Sequence, residues 1–271
     1  MKTAIIKLGG SIFSSQEVLP KVARFLLKQR EHYEHLVVVV SALKGETQRL
    51  LSMACKNHAD PPPRECDMLL TAGERMSMAL LAIEIHRAGG RAVSLTGSQS
   101  GILTNSQHGE ATIVEVRPKR IESLLSEGCI VIVAGFQGVS REGEITTLGR
   151  GGSDITATAL GAALQRNRNY TPLVVIFLKD VGGVYGEDPK GTLRAQNPIA
   201  QLSYEEAFSI VKRSGGENFI IHPRALSTAH EHQLSLHFLP FSESLNACEA
   251  EGKGGSAILP SSIQKREALL P

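Results

Sequence analysis

Short runs of β-branched and aliphatic residues alternate along this chain with longer segments of helical period. Thr3–Lys7 and Leu36–Ser41 (LVVVVS) are apolar at nearly every position, the pattern of strands buried on both faces. A helix is predicted between them over roughly 16–31, and a second from about Glu46 to His58. Pro61-Pro62-Pro63 then reads as a loop, because proline cannot continue a helix. A long helical pattern from Cys66 to Ala88 stops at Gly89-Gly90. Strand 91–95, a loop rich in Gly and Ser, helix 117–127 opened by Pro118 and strand Cys129–Ala134 follow. Residues 141–152 read as a hairpin or loop that leads into a helix at Ser153–Gln165. After the polar connection Arg166–Pro172 come strand 173–178 (LVVIFL), a loop to about 203, and helices at 204–214 and near 223–231. Strands near 235–239 and 256–259 close the pattern. Strands separated by helices in this way imply an α/β fold with a mostly parallel central sheet covered on both faces.

At 271 residues the chain has room for one large domain or two fused lobes. Arg166–Pro172 is the natural boundary, giving lobes 1–166 and 167–262 and a frayed tail at 263–271. Lys and Arg number 29 against 27 Asp and Glu, so the net charge is only +2. That balance lacks the concentrated basic excess of a nucleic-acid or anionic-membrane binder. Aromatic residues are 4% with no tryptophan, which also argues against base-stacking platforms. Four cysteines without a CxxC spacing argue against a zinc site or a disulfide framework. No apolar run reaches the roughly 18 residues of a membrane span. The N-terminal apolar stretch is broken by Lys7 and glycines, unlike a secretory signal, so cytoplasmic residence is expected.

Candidate chemistry gathers where glycines follow buried strands, the place where open α/β sheets bind ligands. Lys7-Leu8-Gly9-Gly10-Ser11 offers backbone N–H groups that can approach a phosphate, beside a fixed positive charge. The chain has neither GxxxxGK[ST] nor GxGxxG, which sets aside a Walker loop and a dinucleotide fold. Thr147-Leu148-Gly149-Arg150-Gly151-Gly152-Ser153-Asp154 runs into a helix, where unpaired N–H groups and the helix dipole attract anions. Arg150 supplies a fork for a carboxylate or phosphate, while Ser153 and Asp154 would also serve as plain caps. Gly73-Glu74 interrupts the long helix. A glycine there signals close packing or ligand approach, and a carboxylate on that face needs a cationic partner. Lys179-Asp180-Val181-Gly182-Gly183-Val184-Tyr185 and Asp188-Pro189-Lys190 follow the strand at 173–178 and suit a nucleotide loop.

Together and in this order these segments resemble the amino acid kinase superfamily, and within it the aspartate kinases. KLGGS is similar to the family's KFGGTS, VVVVSALKGET to VVVVSA…T, LLTAGERMS to its GE..S helix, and SLTGSQSGI to TG.QAGI. AGFQG followed by TTLGRGGSD is the most specific match, and KDVGGVYGEDPK and IIHP resemble TDVDGVYT.DPR and VLHP. The resemblance covers roughly 1–260 and implies an αβα sandwich with an N-terminal amino-acid lobe and a C-terminal ATP lobe. It implies transfer of the γ-phosphoryl of MgATP to the β-carboxylate of L-aspartate. Lys7 and Asp154 would be the catalytic pair, with Gly9, Gly10 and Ser11 cradling phosphate. Ser41, Thr47, Glu74, Arg150 and Ser153 match aspartate-binding positions, and Lys179, Asp180, Tyr185 and Lys190 nucleotide-binding ones. No protein-held metal site is implied. A homodimer is.

Three departures stand out. GGTS is shortened to Gly9-Gly10-Ser11, TDVDG has become Lys179-Asp180-Val181-Gly182-Gly183, and Phe219 stands where the family's GAKVLHP has a lysine. Lys179 is the expected replacement for that lost charge. Aspartate kinases commonly carry C-terminal regulatory (ACT) domains. About ten residues follow the last expected strand, so no such domain is expected here. Another amino acid or small carboxylate as acceptor, and a catalytically weak regulatory relative, remain as alternatives.

Overall fold

The computed structural model describes residues 2–13, 15–180, 183–185, 198–213, 220–241 and 255–260, so Lys190, Phe219 and the expected tail lie outside the described residues. The first half carries β1 (Thr3–Leu8), α1 (Leu19–His32), β2 (His35–Val40), α2 (Glu46–Asn57), α3 (Pro63–Arg87) and β3 (Ala92–Leu95). Next come β4 (Ile102–Thr104), β5 (Ile113–Val116), α4 (Lys119–Ser126), β6 (Ile130–Ala134), β7 (Gln137–Ser140), β8 (Ile145–Thr147) and α5 (Gly152–Gln165). The remainder contributes β9 (Leu173–Lys179), β10 (Gln201–Leu202), α6 (Tyr204–Arg213), α7 (Pro223–Glu231), β11 (Ser235–Pro240) and β12 (Ser256–Ile258).

An eight-stranded sheet of order β10-β12-β11-β9-β1-β2-β6-β3 forms the centre. Its strands from β11 to β3 are parallel, while β12 runs antiparallel to β11. The period of two along β1 explains the double layer of helices. Ile5 joins a core with Leu160 and Leu164 of α5 and Ala225 of α7. Ala4, Ile6 and Leu8 join a second core with Val22 and Leu26 of α1 and Leu81 and Ile85 of α3. Both faces of the strand are therefore dry, which is why its sequence is apolar apart from Thr3 and Lys7. The expected α/β, mostly parallel, two-faced architecture is the one observed. The sheet is continuous across 166–172, since β1 pairs along its whole length with both β2 and β9.

Two expectations are corrected. Pro63 does not belong to a loop: it opens α3, at the first helical position, where a missing N–H costs nothing. The Gly- and Ser-rich stretch after β3 holds β4 and β5, which join β7 and β8 in a four-stranded sheet of order β5-β4-β7-β8. These strands have only three or four residues, too short to show a period. The glycine inside α3 has a packing reason: a Cβ on Gly73 would come within 3.0 Å of the Ala42 Cβ and 3.4 Å of Glu46 Cγ.

Candidate active site

The carboxyl ends of β1, β2, β6 and β9 converge on one edge of the sheet, and the N-terminus of α5 faces it. Lys7 and Lys179 project from adjacent strands on the face that α5 covers, since Lys7 pairs with Phe177 and Lys179 stands two residues further along β9. Asp154, in the first turn of α5, receives both. Lys7 Nζ is 2.8 Å from Oδ1 and Lys179 Nζ is 3.2 Å from Oδ2. All three side chains are buried or nearly so, exposing 8%, 16% and 8% for Lys7, Lys179 and Asp154. Burial works against the Asp154 charge, but the ammonium groups of Lys7 and Lys179 outweigh it and hold the carboxyl below its usual range. Burial pulls the Lys179 ammonium below its own usual range, opposed by Asp154 and reinforced by Lys7. Two cations on one carboxylate leave a net positive charge in a dry pocket. That suits a polyphosphate, and Asp154 is thereby committed to the lysines rather than to capping α5.

A cleft of about 570 Å³ opens beside this cluster, and Lys7, Gly10, Ser41, Thr47, Glu74, Arg150, Ser153 and Asp154 all line it. Ser41 Oγ, at the end of β2, donates to Ser153 Oγ at 2.9 Å and joins the two sides of the opening. Glu74 reaches the cleft from α3. Its Oε1 accepts the Ala42 N–H at 3.3 Å, while Oε2 is buried without a partner. Burial raises the Glu74 carboxyl to about 7, against the pull of its backbone donors. An orphaned carboxylate oxygen facing a cleft calls for a cation from a ligand. Arg150 is the opposite case: it is exposed at the rim and makes no hydrogen bond or ion pair among the described residues. Gly149 and Gly151 on either side of it take the left-handed conformation, with φ of 73° and 67°.

Gly9 and Ser11 stay close to the lysine they were paired with, since a Cβ on Gly9 would meet Lys7 Nζ at 3.5 Å and Ser11 Oγ at 3.7 Å. Asp180 is exposed just after β9 and Tyr185 is half-buried. Neither lines the cleft. Sequence reasoning missed Lys44 and Phe136, which do line it. Lys44 stands in the loop before α2, inside a segment already singled out for Ser41 and Thr47. Phe136 lies inside the AGFQG segment already singled out, but nothing in the sequence marked it as a lining residue: it holds φ of 69°, a strained value for a bulky residue, with its N–H donating to Thr156 Oγ1 at 3.1 Å. A second cleft of about 500 Å³ between α1 and the end of α3 holds none of the expected site residues.

Fold and site together define an α/β protein with a cleft lined by Lys7, Lys44 and Arg150 at the carboxyl edge of a parallel sheet. The model of the amino acid kinase family matches residues 2–239, and the chain belongs to that family. It is 42% identical over 236 residues to an aspartokinase of Geobacillus stearothermophilus, covering 87% of this chain and 56% of that protein. An aspartokinase of Corynebacterium glutamicum is 46% identical over 211 residues, covering 78% and 48% of the two chains. The chain thus spans about half the length of these curated relatives. Among solved structures, an aspartate kinase from Synechocystis superposes with a TM-score of 0.74 at 32% identity, over 95% of this chain and 40% of that one. Aspartokinase III of E. coli, in complex with aspartate and ADP, shares the fold with a TM-score of 0.75 at 22% identity, over 96% and 65%. Among the described residues no helix is long and apolar enough to cross a membrane.

Proposed function

We propose that this chain is the catalytic region of an ATP-dependent aspartate kinase, which moves the γ-phosphoryl group of MgATP to the β-carboxylate of L-aspartate and yields 4-phospho-L-aspartate. The observation that carries the reading is the Lys7–Asp154–Lys179 cluster beside a cleft that also presents the orphaned Glu74 oxygen and the uncommitted Arg150. The names of the relatives support the acceptor.

A β-carboxylate is already ionised at neutral pH, so its attack on phosphorus needs no general base. The obstacle is repulsion between two anions, and catalysis consists of positioning and charge neutralisation. MgATP supplies the phosphoryl group, with Mg²⁺ neutralising phosphate oxygens. A carboxylate oxygen forms the new bond to the γ-phosphorus as the bond to the bridging oxygen breaks and ADP departs. Lys7 and Lys179 face the charge that develops, Asp154 holds both in place, and Gly9, Gly10 and Ser11 cradle the phosphates. Glu74 takes the substrate ammonium and Arg150 a carboxylate, with Ser41, Thr47 and Ser153 between them. Asp180, Tyr185 and Lys190 belong to the nucleotide side. Residues 1–166 form the amino-acid lobe and 167–262 the nucleotide lobe.

The assigned partners are ATP, L-aspartate and a second copy of the chain. The outward face of α3 supports the last. Met68, Met76 and Ile83 are 41%, 43% and 61% exposed there, on a helix whose inward face is also apolar. The pattern repeats in reverse about Met76: Glu65 mirrors Arg87, Leu69 mirrors Ile83 and Ala72 mirrors Leu80. Two antiparallel α3 helices would therefore set small against large and acid against base, as a two-fold interface requires.

Hydroxylamine converts an acyl phosphate into a coloured hydroxamate and so tests the chemistry directly. Purified protein with MgATP is expected to give colour with aspartate, and not with glutamate, acetylglutamate or no acid. In the same assay Lys179→Met should lose turnover by about 100-fold or more. A Lys179→Met variant at full rate would remove that residue from the mechanism. One residue favours a second reading, a regulatory relative that binds ligands without turnover: Phe219, where the resemblance implies a lysine. Absence of colour with every acid, in protein that still binds ATP, would establish it.

A further inference from the structure

Asp67 lies two turns before Glu74 on α3 and is fully buried, yet the chemistry above makes no use of it. Its carboxylate is saturated by donors from two separate segments. Thr147 Oγ1 donates to Oδ1 at 2.5 Å, and His108 Nδ1 donates to Oδ2 at 2.7 Å. The Gly109 N–H lies 3.2 Å from each oxygen. Thr147 ends β8 and is three residues from Arg150. The Ala111 N–H donates to the Thr147 carbonyl at 2.8 Å, which ties the 108–111 segment to the same strand end. Arg224 of α7 holds this junction from the other side, donating to the carbonyls of Leu148 and Ala111 at 3.0 Å each. Gly149 rests on that segment too, since a Cβ there would meet the Gly109 carbonyl at 3.3 Å.

We propose that Asp67 and Arg224 are positioning residues for Arg150, two opposed clamps that fix the loop from which it meets an acidic substrate. Arg150 stands between two left-handed glycines, so its own backbone imposes little on where its guanidinium points. The direction is set by the stretch before it. There every anchor is a hydrogen bond to a charged group or to a backbone carbonyl. A carboxylate with no charged partner on its own helix is retained in the core because three donors depend on it. Asp67 also ties the loop to the helix that carries Glu74, so the groups assigned to the substrate's carboxylate and to its ammonium share one rigid support. This assignment rests on the proposed aspartate-binding role of Arg150.

Thr147→Val tests it, because it removes one donor at constant shape. The KM for aspartate should rise about tenfold, the size of one hydrogen bond to a charged group, while the KM for ATP stays within about twofold. Thr147→Ser should restore the wild-type value. In an Arg150→Ala background the Thr147→Val change should add nothing, since both act through one guanidinium. Additive effects, or equal rises for both substrates, would overturn the assignment. Hydrogen exchange of the full chain supplies a readout without turnover: amides 147–152 should exchange faster in Thr147→Val while those of β1 keep their protection. Unchanged exchange at 147–152 refutes the clamp even if aspartate is not the acceptor. Wild-type protein inactive on aspartate refutes the proposed function and leaves this second measurement to decide.

Discussion

A single oxygen, Glu74 Oε2, concentrates the electrostatics of the cleft. Burial lifts the carboxyl to about 7 in the ligand-free protein, so near neutral pH it is divided between a neutral form and the anion that a substrate ammonium needs. The folded value stands above the unfolded one near 4.5, so this group's contribution to stability is fully present in acid and lost as pH rises to about 7. Ligand binding runs the opposite way: the KM for aspartate should fall as pH rises from about 6 to 8. Glu74→Gln should flatten that profile and raise KM about 10- to 100-fold, checked by initial rates across the range. A Glu74→Gln enzyme with an unchanged pH profile would place the substrate amine elsewhere. Glu74 could be read from the sequence because a charge on the apolar face of a helix is anomalous, and Lys7 because it is a fixed charge at the end of a buried strand, just before two glycines. Asp67 and Arg224 could not be read. Their partners come from segments far away along the chain, and each looks like an ordinary helix charge until the fold brings those segments together.

Among the elements, the turn from β8 into α5 combines two constraints in one residue. Gly151 holds φ of 67°, and a Cβ on it would run into the His222 ring at the start of α7. Gly143, in the β7–β8 turn, holds φ of 89° with open space around it. Gly151→Ala should therefore destabilise by about 2–4 kcal/mol, and Gly143→Ala by only about 1, a difference visible in thermal melts. Comparable melts for the two would show that His222 yields without cost. The helices were legible because each repeats its period, and the long parallel strands because burial on both faces makes them nearly unbroken apolar runs. Pro63 was misplaced because proline both ends and begins helices, and β4 and β5 were missed because their pairing, not their composition, makes them strands.

For the whole molecule, the α3 face makes a prediction about assembly. Sedimentation should show a dimer, and Met76→Glu, which would bring two carboxylates together at the two-fold axis, should leave a monomer. A wild-type monomer, or a Met76→Glu dimer, would move the interface elsewhere. The strand order carries a different consequence. β1 is flanked by β2 on one side and β9 on the other, with Thr3 paired to His35 and to Leu173. As the chain leaves the ribosome, β2 is at hand almost at once, but the second partner, β9, follows only after β3 to β8 and α5 have been made. Until then the nascent chain carries an apolar strand with one edge open, a template for pairing with a neighbour on the same message. The central position that buries Lys7 so well in the finished protein thus makes its synthesis the moment of greatest exposure, and the sheet is expected to close slowly, only once β9 can reach the open edge of β1.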